Sequence, residues 1–260
     1  MQKNLTDYIF KNDVLNYESH LNGFTDSIFQ SFDSKSKELN LESKIDDLLS
    51  GKIINLSENQ AAWHPKYRSK FDSIPQTKKN KSKYKNVITL GIGGSFEGPK
   101  LLIESLHDSS SDINHIFITG SDAYEFKDKV NNLNPDETIF IVSSKSFTTD
   151  ETLETLKEAI TWSGNIEKFI AITANKEEAA KYNIKEIIEF DKEIGGRYSI
   201  WSDINLPALY GPKSNFDPKL FLKGGYQADL DIQNNSDYLN FIKILSFSDI
   251  WFNNFAGKNT

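Results

Sequence analysis

Cysteine is absent from the 260-residue sequence, and methionine occurs once, at the first position. Without thiols the chain has no disulfides, no thiolate metal site and no cysteine nucleophile. Long apolar runs are lacking too, because no segment approaches the roughly 18 apolar residues that a membrane-spanning helix needs. We therefore expect a cytoplasmic protein that has no membrane partner.

An excess of positive charge is also lacking, since the formal net charge is -7 at pH 7. A general nucleic-acid binder needs a cationic surface to displace counterions from phosphates, so no nucleic-acid partner is expected. What is present is the composition of an ordinary globular protein, with 38% hydrophobic and 26% charged residues. The length suffices for one large domain or two smaller ones.

The two ends of the chain have the apolar spacing of helices. Residues 1 to about 77 place apolar side chains at near-helical intervals, for example at Tyr8, Ile9 and Leu15, and this predicts an α-helical arm over residues 1–83. The last segment, from Asp237, predicts a helix that is apolar on more than one face and needs a large surface to pack on. Either the N-terminal arm covers this helix or the chain is cut short, and we expect residues 226–260 to begin a second domain that is incomplete.

Between the two ends, short apolar runs alternate with segments of helical length. The runs are "NVITLGI", "HIFITG", "TIFIVS", "KFIAIT" and "IIEF". Runs that are apolar on both faces and rich in Ile, Val, Phe and Thr are typical of buried parallel strands. The fold class predicted for residues 84–225 is therefore α/β, with a doubly wound five-stranded parallel sheet.

The first of three loops at predicted strand ends is "GIGGS", which starts at Gly91 and precedes a helix. Glycines let a backbone approach a ligand closely, and a helix N-terminus attracts an anion. A dinucleotide fingerprint would need a third glycine where Phe96 stands. The alternative is a tight strand-to-helix turn that binds nothing.

The second loop, "SSKSFTT" at residues 143–149, is rich in hydroxyl groups and comes directly before a predicted helix. Hydroxyls and backbone N–H groups at a helix start can surround a phosphate. In the alternative interpretation, Thr148 and Glu151 form a capping box that needs no ligand. That box would leave Ser144, Ser146 and Thr149 without a role.

The third loop contains "GGRYS", in which Gly195 and Gly196 precede Arg197 after the fifth predicted strand. A guanidinium group cannot act as a base but can stabilise negative charge that develops on an oxygen. A surface salt bridge is the alternative role for Arg197.

Together, "GIGGS", "SSKSFTTDETL" and "GGRYSIWSDINL" resemble the glucose-6-phosphate isomerase family, and "INLSENQAAWHPKYR" is similar to the N-terminal motif of that family. The resemblance implies two sugar-isomerase (SIS) domains, a homodimer, and interconversion of glucose 6-phosphate and fructose 6-phosphate without cofactor or metal. Gln60 stands where an arginine is common, which puts a charge role there in doubt, and Ser146 replaces a threonine while keeping its hydroxyl.

The resemblance also implies roles for individual residues. Arg197 matches an arginine that stabilises an enediol intermediate, and Glu151 matches a carboxylate near the ring-opening histidine. The implied substrate-binding residues are Gly94, Ser95, Ser144, Lys145, Ser146, Phe147, Thr148 and Thr149. The carboxylate base that isomerisation requires belongs to a part of the family that follows the matched region, so we expect this chain to carry the phosphate site without the base.

Two other functions remain open at this point. One is a non-catalytic sugar-phosphate sensor built on the same SIS fold. The other is a nucleotide-binding oxidoreductase domain, which the missing third glycine disfavours.

Overall fold

The structure is a computed structural model that describes residue 5 and residues 7–52, 61, 64–72, 83–106, 113–209 and 217–257. The chain divides into two compact units, one of residues 50–225 and one of residues 1–49 with 226–260. The strands are β1 (Asp7–Lys11), β2 (Asn16–His20), β3 (Asn86–Leu90), β4 (Asn114–Ile118), β5 (Thr138–Ser143), β6 (Phe169–Thr173) and β7 (Glu186–Glu189). The α-helices are α1 (Asp26–Glu38), α2 (Leu41–Ser50), α3 (Pro65–Arg68), α4 (Gly94–Leu106), α5 (Ala123–Val130), α6 (Asp150–Ser163), α7 (Lys176–Ala180), α8 (Pro218–Asn234) and α9 (Ser236–Asn254).

The larger unit is built on a five-stranded sheet with the strand order β4-β3-β5-β6-β7. All of its pairings are parallel. The predicted doubly wound α/β sheet is therefore confirmed. β3 has β4 on one side and β5 on the other, so the chain changes its winding direction between β3 and β5. Ligands of such sheets bind at this switch point, outside the carboxyl ends of the strands.

Both faces of the sheet are covered, as the apolar runs predicted. In β5, Phe140 and Val142 belong to one core cluster together with Leu156 of α6. The alternate residues Ile139 and Ile141 belong to a second cluster on the opposite face. All six residues of β5 are buried, because successive side chains of a strand point to opposite faces and both faces are packed.

The predicted helical arm is wrong for the beginning of the chain, where β1 and β2 form an antiparallel hairpin. Tyr8 and Phe10 are buried, whereas Ile9 between them is 62% exposed. That alternation has the two-residue period of a strand, but an apolar residue at the exposed position disguised it. The turn is held by Asn12, whose Oδ1 accepts the backbone N–H groups of Val14 and Leu15. The prediction of helices is correct for α1 and α2.

The smaller unit packs its hairpin and α1 around α9, which confirms the helix predicted near the end of the sequence. The rings of Phe10 and Phe241 stack with centroids 4.2 Å apart. Lys243 of α9 is only 9% exposed and places Nζ 2.9 Å from Asp33 Oδ1 of α1. None of the helices in the described ranges is both long enough and apolar enough to cross a membrane.

Candidate functional site

The loop after β3 lies directly against the end of β5. A Cβ atom built on Gly91 would lie 2.7 Å from the carbonyl oxygen of Ser143 and 2.9 Å from Cβ of Ser95. Both distances are too short for a side chain. The residue at this position must therefore be glycine for the two strand ends to approach each other. The first and second predicted loops therefore meet at the switch point of the sheet.

The loop after β7 joins the loop after β3 in the same way. A Cβ atom on Gly94 would lie 1.9 Å from the carbonyl oxygen of Gly196. Ser199 donates its hydroxyl toward the carbonyl oxygens of Gly94 at 3.2 Å and Gly196 at 2.7 Å. The structure thus brings all three predicted loops to one edge of the sheet.

The loop after β5 is held in place by its own backbone. The carbonyl oxygen of Lys145 accepts the N–H of Ala174 at 3.0 Å and the hydroxyl of Thr173 at 3.1 Å. Phe147 has a φ of 53°, in the left-handed region that non-glycine residues rarely adopt. Its ring is 1% exposed and packs edge-on against Tyr182. Phe147 therefore anchors the loop through its side chain.

The hydroxyl groups of this loop gather at the start of α6. Ser144 Oγ lies 3.3 Å from Thr149 Oγ1 and accepts the backbone N–H of Phe147 at 3.2 Å. Thr148 donates its hydroxyl to Ser146 Oγ at 2.7 Å. Thr149 is the N-cap residue of α6, and no side chain caps the helix there. The capping-box interpretation is therefore wrong, and the first-turn N–H groups have no side-chain cap.

The two residues expected to be catalytic lie on different loops. Arg197 is exposed, and its guanidinium carbon lies 5.2 Å from the ring centroid of Tyr198. That ring stacks on His64, with centroids 4.8 Å apart. Glu151 is exposed in the first turn of α6. Ser95 lies half-buried in the first turn of α4.

Two further hydroxyl groups of this region were given no role from the sequence: Ser143, at the start of the second loop, and Thr152. Ser143 Oγ and Thr152 Oγ1 are buried and find no hydrogen-bond partner among the residues that the structure describes. The sequence signal for Thr152 is its position three residues after Thr149, which places both on the first turn of α6. Within the described ranges no group of three or more His, Asp or Glu residues could hold a metal ion.

Part of the N-terminal motif lies outside the described residues. That part consists of residues 54–60, including Gln60, and residues 62–63. The end of the motif is visible as α3, in which Arg68 is 8% exposed. The guanidinium carbon of Arg68 lies 4.8 Å from the ring centroid of Trp201.

Comparison with known proteins identifies the family of the chain. Residues 76–260 match the protein family described as phosphoglucose isomerase. The glucose-6-phosphate isomerase of Baumannia cicadellinicola is 30% identical over an alignment that covers 97% of this chain and 52% of the relative. That of Legionella pneumophila (strain Paris) is 32% identical, over 85% of this chain and 51% of the relative.

The solved structure of a glucose-6-phosphate isomerase from Chlamydia trachomatis has the same fold, with a TM-score of 0.79 at 19% identity, over 96% of this chain and 55% of that one. The chain spans about half the length of the curated relatives that it matches. The family match covers most of the sequence and includes all three loops of the site. The chain belongs to the phosphoglucose isomerase family.

Proposed function

We propose that the chain carries the sugar-phosphate site of an isomerase that interconverts glucose 6-phosphate and fructose 6-phosphate. The observation that supports this most is the start of α6, where the N-cap residue Thr149 makes no side-chain cap and its hydroxyl lies 3.3 Å from Ser144 Oγ. Backbone N–H groups, hydroxyls and the positive end of the helix dipole are the partners that a phosphate needs. The position also suits a ligand, because it lies at the switch point of the sheet.

In this proposal the phosphate contacts come from side chains and from backbone. Ser144, Ser146, Thr148 and Thr149 offer hydroxyls, and Lys145 adds a positive charge. Phe147 shapes the phosphate loop, since its ring is buried in the core and its N–H is donated to Ser144 Oγ. Gly94 and Ser95 begin α4 and approach the sugar from the neighbouring loop.

The proposed reaction moves a proton between adjacent carbons of the open-chain sugar. A base removes the C2 proton, the C2–H electrons form the enediol double bond, and the carbonyl oxygen takes up negative charge. Arg197 stabilises that charge, and Glu151 assists near the group that opens the ring. The base then returns the proton to C1, while the proton of the C2 hydroxyl moves to the C1 oxygen and the C2 carbonyl of the ketose forms.

We place the base in the part of the relatives that this chain does not span. We accordingly propose that residues 226–260 begin a second SIS domain, and that the chain of 260 residues binds the sugar phosphate without turning it over. The homodimer and the cytoplasmic location remain predictions.

Calorimetric titration with fructose 6-phosphate tests the phosphate site. Thr149→Val should weaken binding by about tenfold or more, because a hydrogen bond to a charged group is lost. Thr161→Val is the matched control, since that hydroxyl also lies on α6 but bonds to Lys157 O. Equal affinities of the two variants, or equal binding of fructose and its phosphate, would contradict the proposed site.

A coupled isomerase assay on the same chain tests the position of the base. We expect no turnover above the uncatalysed rate. Measurable isomerisation would show that the base lies within these 260 residues.

A further inference from the structure

The larger unit contains a cavity of about 660 Å³ that shares no residue with the proposed sugar-phosphate site. It is lined by the segment around α3, by the end of β7 and the residues after it, by residues 201–206, and by the first turn of α8. Its volume falls within the range of roughly 300–1,000 Å³ that is typical of small-molecule sites.

Aromatic side chains form much of the cavity wall. Trp201 and Phe221 stack with ring centroids 4.5 Å apart and an interplanar angle of 15°, and both line the cavity. Phe190 lies on the wall as well and is 5% exposed. Such a wall suits a ligand that has an apolar body.

Two hydrogen-bond acceptors lie on the wall of the cavity, and one of them has no partner in the described part of the chain. Asn205 is 7% exposed, and its Oδ1 makes no hydrogen bond to any described residue. Asp203 is half-buried, and the loss of water around its carboxyl group raises its pKa to about 7. A buried acceptor without a donor is costly, because it loses its hydrogen bonds to water and gains none in return. Both groups therefore favour a ligand that donates hydrogen bonds.

The other acidic groups on the wall are already satisfied. Asp191 forms an ion pair with Lys66. Its pKa is lowered, because that pairing and the backbone N–H of Glu193 outweigh the effect of burial. Glu189 pairs with Lys176 at 2.5 Å. Asp203 is thus the wall carboxyl group for which the described residues provide no counter-charge.

The remaining charged groups on the wall do not neutralise Asp203. Lys70 and Lys192 are exposed to water, and burial is the cause of the raised pKa of Asp203, with no nearby cation lowering it. Tyr67 has its pKa raised to about 12, first by burial and further by the charge of Asp203, although the N–H of Asp191 opposes the rise. Tyr67 therefore stays neutral at every pH considered below.

We propose that this cavity binds a small organic cation, a protonated amine or amidine on an apolar body, whose N–H groups donate to the carboxylate of Asp203 and to Oδ1 of Asn205. A cation fits better than a neutral donor, because it both satisfies the acceptors and neutralises the one carboxylate that lacks a counter-charge. The aromatic wall shelters the apolar body.

The test is calorimetric titration of the 260-residue chain with phenethylamine and benzamidine, and with 2-phenylethanol as a neutral probe of similar shape. We expect the two cations to bind and the alcohol to bind at least about tenfold more weakly, as for close charge pairs in other complexes. Cation affinity should rise between about pH 6 and about pH 8, because the carboxyl group ionises across its pKa of about 7.

Asp203→Asn keeps the shape of the side chain but removes the charge, and it should weaken cation binding by about tenfold or more. Glu189→Gln is the matched control, because it removes a wall carboxylate that is already paired and should change the affinity less than about threefold. A carbon-13 titration of the Asp203 carboxyl group gives a second measurement, and its pKa should fall when phenethylamine is added. Absence of binding by both cations, equal binding of the alcohol, or equal losses in the two variants would overturn the proposal.

Discussion

Replacing Asp203 by asparagine tests the burial of its carboxyl group in the unliganded protein. The ordinary pKa of 3.8 rises to about 7 in the folded chain because burial disfavours the charged form. A difference of about three pKa units corresponds to about 4 kcal/mol between the two protonation states. Asparagine has nearly the same shape and no charge, so Asp203→Asn should remove this cost.

The sign of the effect follows from proton linkage. The folded chain holds the Asp203 proton more tightly than the unfolded chain does. The contribution of this group to stability is therefore fully present below pH 3.8 and is lost as the pH rises towards about 7. We expect the variant and the parent to unfold alike near pH 4. Above pH 7 the variant should be more stable by about 4 kcal/mol, and the gain should stay constant.

Urea unfolding at a series of pH values measures this difference. Asp191→Asn is the matched control from the same cavity wall, because the pKa of Asp191 is lowered by its pairing with Lys66. The stabilising contribution of Asp191 is present above pH 3.8 and is lost as the pH falls, so this variant should lose stability near neutral pH. If Asp203→Asn has the same free energy of unfolding as the parent at every pH, the carboxyl group is not buried as described.

Two further predictions concern packing and a buried ion pair. Gly94→Ala should destabilise the larger unit by about 2 kcal/mol, because its Cβ would lie 1.9 Å from a carbonyl oxygen of the loop after β7. Gly224→Ala is the control, because a Cβ at this position of α8 meets open space. It should raise the thermal midpoint and increase the free energy of unfolding by up to about 1 kcal/mol. Asp33→Ala should cost about 2 kcal/mol or more in chemical unfolding, because it removes the close carboxylate from buried Lys243. Glu38→Ala is the control, because it breaks an exposed ion pair on the same helix, and it should change stability by less than about 1 kcal/mol. Equal losses in the two variants would contradict the burial of the pair between Asp33 and Lys243.

The sheet could be predicted because its signal is local. Each strand is a short run of apolar residues, and β5 is buried along its whole length, so a run without polar interruptions indicated a strand packed on both faces. The hairpin could not be predicted in the same way. Its two strands have five residues each, and the exposed Ile9 imitates the spacing of a helix. What distinguishes the two structures is packing against α9, some 230 residues later, which no local pattern records.

For the site, too, local features could be predicted from the sequence and long-range contacts could not. Loops that follow parallel strands meet at one edge of the sheet because of the topology. The sequence therefore predicted that Gly94, Ser144 and Arg197 lie at this edge. The contacts that seat these loops depend on distant segments, such as the approach of Gly94 to Gly196. The burial of Asp203 depends on α3, β7 and α8 together, so the sequence around it, "WSDIN", contains no sign of a perturbed carboxyl group.

The hydroxyl groups of the second loop are stronger evidence for a ligand than the glycines of the first loop. Gly91 and Gly94 are required by packing alone, because a side chain at either position would collide with backbone atoms of a neighbouring loop. A glycine-rich loop at a strand end is therefore explained without any ligand. Packing does not explain why Thr149 leaves α6 uncapped, or why the hydroxyl of Thr152 is buried without a partner in the described structure. Unmet hydrogen-bonding groups of this kind favour the proposed phosphate at the start of α6, because a phosphate offers several acceptors at once.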